Sequence, residues 1–196
     1  MVIKHLKPPL FIMGLVIMLF ALSIMVKQTF QRQVPSIEPA IPTTNTGSFN
    51  IFSPSFDNNA TIPTAYTCNG ANTNPPLIIE NAPGNAKSFA LIVRDRSASD
   101  NNSTQWTVWN IPVETTAIAE NTVPEGAVQG VTDFGSSIYS GPCPARDTGN
   151  HKYSFELYAL TDMLNIGPGA NRDQLISAMN GLIIAKTHVT GEYKPN

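Results

Sequence analysis

The alternation of apolar and polar positions after residue 50 is typical of a mainly β protein. Short runs rich in β-branched and aromatic side chains predict strands, and clusters of Pro, Gly and Asn between them indicate turns. The predicted strands are residues 88–93, 105–111, 152–160 and 182–190. Residues 171–180 predict a helix, on which Leu175, Ile176 and Met179 share one face. Gly181 follows as a C-terminal stop, so a helix lies near the end of a β domain.

A different pattern precedes the domain. Residues 8–26, between Lys7 and Lys27, carry no charge and are almost wholly apolar. As a helix they would span about 28 Å, close to the hydrocarbon thickness of a bilayer, which predicts membrane insertion. The run is longer than that of a cleaved signal peptide, and residues 23–27 lack an Ala-x-Ala site. An uncleaved signal anchor is therefore favoured over a cleaved leader, which remains the alternative.

This segment divides the chain into three parts. Residues 1–30 form the signal anchor, residues 31–48 form a linker containing Pro35, Pro39 and Pro42, and residues 49–196 form one domain. Basic residues before the apolar run favour an N-terminus on the inner side of the membrane. The domain is then expected on the periplasmic or extracellular side of a single-pass protein, or secreted if the segment is cleaved.

Charge restricts the partners of the domain. From residue 51 onward, Asp and Glu outnumber Lys and Arg by five, although the whole chain carries only −2. An acidic domain without basic clusters is poorly suited to a phosphate backbone, so no nucleic-acid partner is expected. Cys68 and Cys143 are the two cysteines, and in an oxidising compartment they would either form a disulfide or remain reduced thiols.

The usual catalytic motifs are absent from the sequence. It has no Gly-x-Ser-x-Gly, no phosphate-binding glycine loop and no His-Glu-x-x-His, and the Asp-Phe-Gly at 133–135 lacks the other kinase motifs. We therefore expect no catalytic residue, metal or cofactor. Two loops remain as candidates, one around Asp95 and one running to His151, and a protonated histidine there would attract phosphate. Whether the two residues meet is left open by the sequence.

Several short motifs in this order resemble the phosphatidylethanolamine-binding protein family, in its bacterial Raf-kinase-inhibitor-like branch. The resemblance covers residues 51–193. Its markers are Phe52-Ser53-Pro54-Ser55-Phe56, Ile62-Pro63, Tyr66-Thr67-Cys68-Asn69-Gly70, Asn74-Pro75-Pro76-Leu77, Asn110-Ile111-Pro112, Asp133-Phe134-Gly135, Gly141-Pro142-Cys143-Pro144 and Gly149-Asn150-His151-Lys152-Tyr153.

The resemblance implies a two-sheet, Greek-key-like β-sandwich with a small pocket for phosphate-like anions at one end. The ligand-binding residues that it implies are Asp95, Gln105, Gly141, Pro142, His151 and Tyr153. Five positions depart from the family pattern, and one of them, Lys152, conservatively replaces an arginine. Arg96 and Ser99 replace prolines, Ser97 replaces an aspartate, and Gln105 stands where the family carries histidine. Gln105 can donate a hydrogen bond but cannot carry charge.

Three functions compete on this basis. The leading hypothesis is a non-enzymatic binding protein for phospholipid head groups or other small anions at the cell envelope. The alternative is a protein-interaction or inhibitor module, with a protease or signalling partner and a degenerate pocket. A hydrolase using Asp95 and His151 is the least favoured, because no nucleophile or metal cluster accompanies the pair.

Overall fold

The computed structural model describes residues 48–98 and 103–195 of the chain. The apolar segment of residues 8–26 and almost all of the linker lie outside the described residues. Within the described part, no helix is long and apolar enough to cross a membrane.

Nine strands and one α-helix make up the described fold. The strands are β1 (Asn50–Phe52), β2 (Ala60–Thr61), β3 (Leu77–Glu80), β4 (Ser88–Asp95), β5 (Ser103–Pro112), β6 (Ala117–Ile118), β7 (Val128–Gln129), β8 (His151–Leu160) and β9 (Ile183–Tyr193). The helix, α1 (Arg172–Met179), lies between β8 and β9, and a single 3₁₀ turn covers Thr64–Tyr66. The mainly β class and the late helix predicted from the sequence are confirmed.

The strands form two sheets. One has three strands in the order β1-β3-β6, and the other has six in the order β2-β9-β8-β4-β5-β7. β4 lies at the centre of the larger sheet and pairs antiparallel with β5 and β8. The four predicted strands correspond to β4, β5, β8 and β9, the long strands whose local pattern is strongest.

Side-chain alternation along β4 supplies both faces of the six-stranded sheet. Phe89, Leu91 and Val93 point to the inner face and join the main core, whereas Ala90 and Ile92 point to the outer face and a second cluster. Because both faces are apolar along most of the strand, β4 is buried nearly throughout. Charged residues occur only at the end of the strand, where Arg94 lies on the outer face and Asp95 on the inner face.

Helix α1 covers one end of the outer face, where Leu175 and Met179 pack into the second cluster. Its start is fixed by a capping box, in which the Asn171 side chain accepts from the Gln174 N–H and the Gln174 side chain accepts from the Asn171 N–H. Beyond the helix, Gly181 adopts φ +78°, as expected for the predicted stop.

Candidate anion-binding site

The candidate pocket lies where the inner faces of β4 and β8 end. Asp95 is the last residue of β4, and His151 is the first residue of β8. The sequence prediction ended the first strand at residue 93 and began the second at 152, placing both residues in loops. Those boundaries were wrong, because β4 pairs with β8 as far as Asp95, and β8 pairs with β9 from His151 onward. Both site residues therefore stand on the sheet itself.

Asp95 and His151 form a buried pair. Nδ1 of His151 lies 2.6 Å from Oδ2 of Asp95. The other carboxylate oxygen, Oδ1, accepts from the N–H groups of Ser97 at 2.8 Å and Ala98 at 3.2 Å. Because the carboxylate accepts at Nδ1, that nitrogen carries a proton and Nε2 is the ring nitrogen left for a ligand.

Tyr153 supports this pair from the next inward position of β8. Its ring stacks on that of His151, with centroids 6.4 Å apart. Burial raises the pKa of Tyr153 far above its usual range, and the charge of Asp95 and a hydrogen bond to it raise it further. The phenol therefore stays neutral and donates to the carboxylate, so Asp95 has four donors around it.

Gln105 lies near the start of β5, beside the same pocket, and is almost fully buried. In the amide orientation that satisfies both of its ends, Nε2 donates to the carbonyl oxygens of Ser140 at 2.5 Å and Gly141 at 3.3 Å. The oxygen then faces the hydroxyl of Ser103 at 3.4 Å. The amide N–H groups of Gln105 thus donate to the neighbouring loop. The side chain therefore presents its oxygen, an acceptor, toward a ligand.

Gly141 and Pro142 are buried behind the pocket instead of lining it. The Gly141 N–H donates to Oδ1 of Asn72 at 2.7 Å, and the Pro142 carbonyl accepts from the Cys68 N–H. A Cβ at Gly141 would stand 2.2 Å from the Tyr66 carbonyl oxygen, so only glycine fits this approach. Both residues position the pocket wall.

The two cysteines meet at this wall. The structure pairs Cys68 with Cys143, with the sulfur atoms 2.07 Å apart and the Cα atoms 5.4 Å apart. Of the two alternatives left by the sequence, it contains the disulfide. The bridge ties the loop after the 3₁₀ turn to the loop that enters the pocket, because Cys143 itself is a lining residue.

The pocket has a volume of about 390 Å³ and brings together Asp95, Gln105, His151 and Tyr153. The lining residues not proposed as ligand-binding from the sequence are Ser97, Ala98, Ser103, Phe134, Cys143, Pro144 and Thr148. Phe134 is 58% exposed at the rim, held there by Asp133, whose Oδ2 accepts from the Thr104 N–H. The signal for Phe134 was a large aromatic residue directly before a turn glycine, in a motif that was dismissed as a kinase match and used only as a marker of the family resemblance.

The donor set suits an anion better than a metal. Among the described residues, no three His, Cys, Asp or Glu side chains lie close enough together to hold a metal ion. A larger concavity of about 880 Å³ lies along the start of α1, but its charged lining residue is Asp173, which repels anions. The pocket at Asp95 and His151 is the better candidate, because an imidazole and three hydroxyl groups border it.

Comparison with known sequences identifies relatives of the whole domain. Residues 52–194 match the family described as phosphatidylethanolamine-binding protein. A UPF0098 protein of Methanothermobacter thermautotrophicus is 39% identical over 150 residues, which cover 74% of this chain and 98% of the relative. A UPF0098 protein of Pyrococcus horikoshii is 44% identical over 146 residues, covering 71% of this chain and 73% of the relative.

Solved structures agree with the sequence relatives. A phosphatidylethanolamine-binding protein homologue from Chlamydia trachomatis has a TM-score of 0.72 and 34% identity, covering 76% of this chain and 99% of the homologue. YbcL of E. coli, described as a member of the mammalian PEBP family, has a TM-score of 0.72 and 27% identity, covering 76% and 100%. Both relatives consist of this domain alone over nearly their entire solved length.

Proposed function

Since the chain belongs to the phosphatidylethanolamine-binding protein family, whose members are binding proteins, we propose that its pocket binds a phosphorylated head group or another small anion without catalysis. The observation that carries the proposal is the buried Asp95–His151 pair at the pocket, with Nδ1 and Oδ2 2.6 Å apart. The pair holds a histidine in one orientation at the end of a concave, partly polar site.

The arrangement explains how an anion is accepted beside a carboxylate. The carboxylate of Asp95 accepts hydrogen bonds from His151, Tyr153 and two backbone N–H groups. These four donors stabilise its negative charge, which therefore repels an anion in the pocket less strongly. A protonated His151 then offers Nε2–H to the ligand as a charge-assisted donor. The hydroxyls of Ser97, Ser103 and Thr148 line the remaining polar part of the pocket.

The departures from the family pattern alter the pocket without closing it. Ser97, at a position where the family has a carboxylate, removes a negative charge from the rim and uses its hydroxyl to accept the Lys152 N–H at 3.0 Å. Gln105 braces the Ser140–Gly141 backbone. We infer a site that relies on His151 as its main side-chain contact with the anion.

A non-enzymatic role is supported by the chemistry of the lining. Nucleophilic catalysis needs a nucleophile activated by a base that is itself oriented by a third group. His151 is oriented by Asp95, but Ser97, the pocket serine that lies nearest to Asp95 in the sequence, is engaged with the backbone of β8. The arrangement therefore favours binding over turnover.

We also propose that the domain is held at the outer side of a membrane by residues 8–26. The proposal is supported by the uncharged length of that segment and by the basic residues before it. Protease digestion of intact bacterial spheroplasts expressing the full-length protein tests it. We expect the domain to be degraded without lysis, and protection until lysis would contradict the proposal.

Titration calorimetry with inorganic phosphate and with phosphoethanolamine tests the binding function. We expect saturable binding, and we expect His151→Ala to weaken it at least about tenfold, because a hydrogen bond to a charged group is lost. Asn150→Ala is the matched control, since the exposed Asn150 side chain contacts Glu192 outside the pocket. Affinity in His151→Ala equal to that of the wild type would refute the proposal.

A further inference from the structure

The outer face of the six-stranded sheet is covered by α1 at one end only. Toward the other end, the outward positions of β4 and β8 change from apolar to charged residues, beginning with Arg94 and Glu156. The neighbouring strand β9 adds Lys186 and His188, both exposed. This charged part of the sheet lies on the opposite face from the Asp95–His151 pair.

Glu156 is the centre of the charged cluster, with only 3% of its side chain exposed. Its Oε1 accepts from Arg94, through Nε at 2.9 Å and Nη2 at 2.7 Å, and from Nη1 of Arg96 at 3.1 Å. Its Oε2 accepts from the Tyr158 hydroxyl at 2.7 Å and from Nζ of Lys186 at 3.0 Å. Both oxygens are therefore saturated by donors.

The protonation of Glu156 reflects these cations. Burial by itself would raise its pKa, but hydrogen bonds from Tyr158 and Lys186, the charge of Lys186 and a hydrogen bond from Arg94 outweigh burial and lower the pKa to about 2. The carboxylate is thus charged under all physiological conditions. The single carboxylate of Glu156 is thus shared by three cations, Arg94, Arg96 and Lys186.

A pocket of about 380 Å³ opens above this cluster. Its lining residues are Asn59, Arg96, Lys152, Ser154, Glu156, Lys186, His188 and Thr190. Arg96 contacts Glu156 through one nitrogen and is 51% exposed, so the rest of its guanidinium borders the opening. Lys152 at the rim is paired with Glu192 at 3.3 Å.

We propose that this outer pocket is a second anion site, which takes a phosphate-like dianion such as inorganic phosphate or a phosphate monoester. A phosphate monoester carries close to two negative charges at neutral pH, which suits the two cations, Arg96 and Lys186, that share Glu156 and line the pocket. Arg96 supplies planar donors, and Lys186 supplies a point charge. The amide of Asn59 and the hydroxyls of Ser154 and Thr190 border the same pocket.

The two sites are separated by the sheet. Arg96 follows Asp95 and Lys152 follows His151, yet Arg96 reaches Glu156 on the outer face while Asp95 and His151 meet on the inner face. Each site can therefore be removed without the other. If the inner site binds no anion, the proposal for the outer pocket is unaffected. If the outer pocket binds no anion, the function proposed for the inner site is unaffected.

The test is calorimetric titration of the full-length protein with inorganic phosphate, in a His151→Ala background that lacks the inner site. We expect one remaining site, which Arg96→Gln weakens about tenfold because a charge-assisted donor is lost. Lys87→Gln removes the same charge from an exposed position at the opposite end of β4 and should leave the affinity within about twofold.

Glu156→Gln is expected to change the affinity for phosphate in the direction opposite to Arg96→Gln. Removing the carboxylate frees Arg96 and Lys186 at the pocket from the charge of Glu156, so phosphate should bind about tenfold more tightly. A variant that merely disturbed the fold would bind less tightly, so the direction separates the two causes. The proposal is overturned if the His151→Ala protein binds no phosphate, or if Arg96→Gln and Lys87→Gln bind it equally well.

A second arm identifies the source of the phosphate. Flotation of residues 49–196, which lack the proposed anchor, with phosphatidylcholine vesicles that do or do not contain phosphatidic acid presents the same monoester on a lipid. Flotation that requires phosphatidic acid and is lost in Arg96→Gln supports a lipid ligand. Binding of free phosphate without flotation supports a soluble one. Absence of any Arg96-dependent binding in both arms contradicts the second site.

Discussion

At the scale of single residues, neighbouring positions on two strands serve opposite faces of one sheet. Asp95 and His151 point inward and pair at 2.6 Å, while Arg94 points outward to Glu156. The same alternation that buries Leu91 and Ile92 on different faces thus separates an inner polar site from an outer charged cluster. A shift of one residue in register would exchange the two sets.

Gly141→Ala is expected to destabilise the domain by about 2 kcal/mol, because the new methyl group overlaps the Tyr66 carbonyl. Urea unfolding measures the change. Gly84→Ala is the matched control, since a Cβ at Gly84 meets nothing within 4 Å, and its effect should stay within about 0.5 kcal/mol. Equal effects at the two positions would show that the close approach at Gly141 does not matter.

Glu156 is expected to contribute to acid sensitivity. Its pKa falls from an ordinary 4.5 in the unfolded chain to about 2 in the folded protein. A lowered folded-state pKa means that the stabilisation is complete above pH 4.5 and is lost as the pH falls toward 2. The loss is about 3 kcal/mol for a shift of this size.

Urea unfolding between pH 5 and about pH 2 measures this contribution. The wild type should lose more stability over that interval than Glu156→Gln, which has no carboxylate to protonate. Glu80→Gln removes an exposed carboxylate on β3 and should follow the wild-type curve. Parallel curves for the wild type and Glu156→Gln would contradict the assignment.

At the scale of elements, α1 closes the apolar half of the outer sheet face and leaves the charged half open. Leu175 and Met179 of the helix pack with Ile92 and Trp109 of the sheet. The helix has eight residues, too short to be stable alone, so it depends on this packing and on its cap.

Asn171→Ala is expected to lower the free energy of unfolding by about 1 kcal/mol, because the Gln174 N–H loses its acceptor. Thermal or urea unfolding monitors the change. Asn165→Ala, at an exposed position in the preceding loop, is the control and should change stability little. No difference between the two variants would mean that the capping box contributes nothing measurable.

At the scale of the whole domain, the disulfide connects segments 75 residues apart at the inner pocket. It works together with the hydrogen bonds of Gly141 and Pro142, which join the same two loops. The pocket wall is therefore fixed by contacts between distant parts of the chain.

Replacing both Cys68 and Cys143 with serine is expected to cost about 3–5 kcal/mol of unfolding free energy, because the unfolded chain regains the freedom of a long loop. A weaker affinity for phosphate should accompany this loss, since Cys143 lines the inner pocket. Urea unfolding with and without reductant provides the measurement. The wild type should respond to reductant and the double variant should not; a wild type that does not respond would contradict a stabilising bridge.

The sequence was sufficient for the elements whose signal is local. The sequence predicted the ends of five elements to within three residues: β4, β5, β8, β9 and α1. Strand alternation and helical periodicity can be recognised within about ten positions of the chain. The short strands were missed. β2 and β7 have two residues each and exist only because β9 and β5 offer them backbone partners.

At the candidate site, too, the sequence predicted the residues, and the tertiary structure decided their contacts. His151, Asp95 and Tyr153 were proposed from motifs, but their contact is set by the register of β4 against β8. The cluster around Glu156 has no sequence motif, because Arg94, Glu156 and Lys186 come from three strands far apart in the chain. Local patterns determine which face a side chain takes; only tertiary pairing brings distant faces together, since register depends on partners that no local pattern can specify.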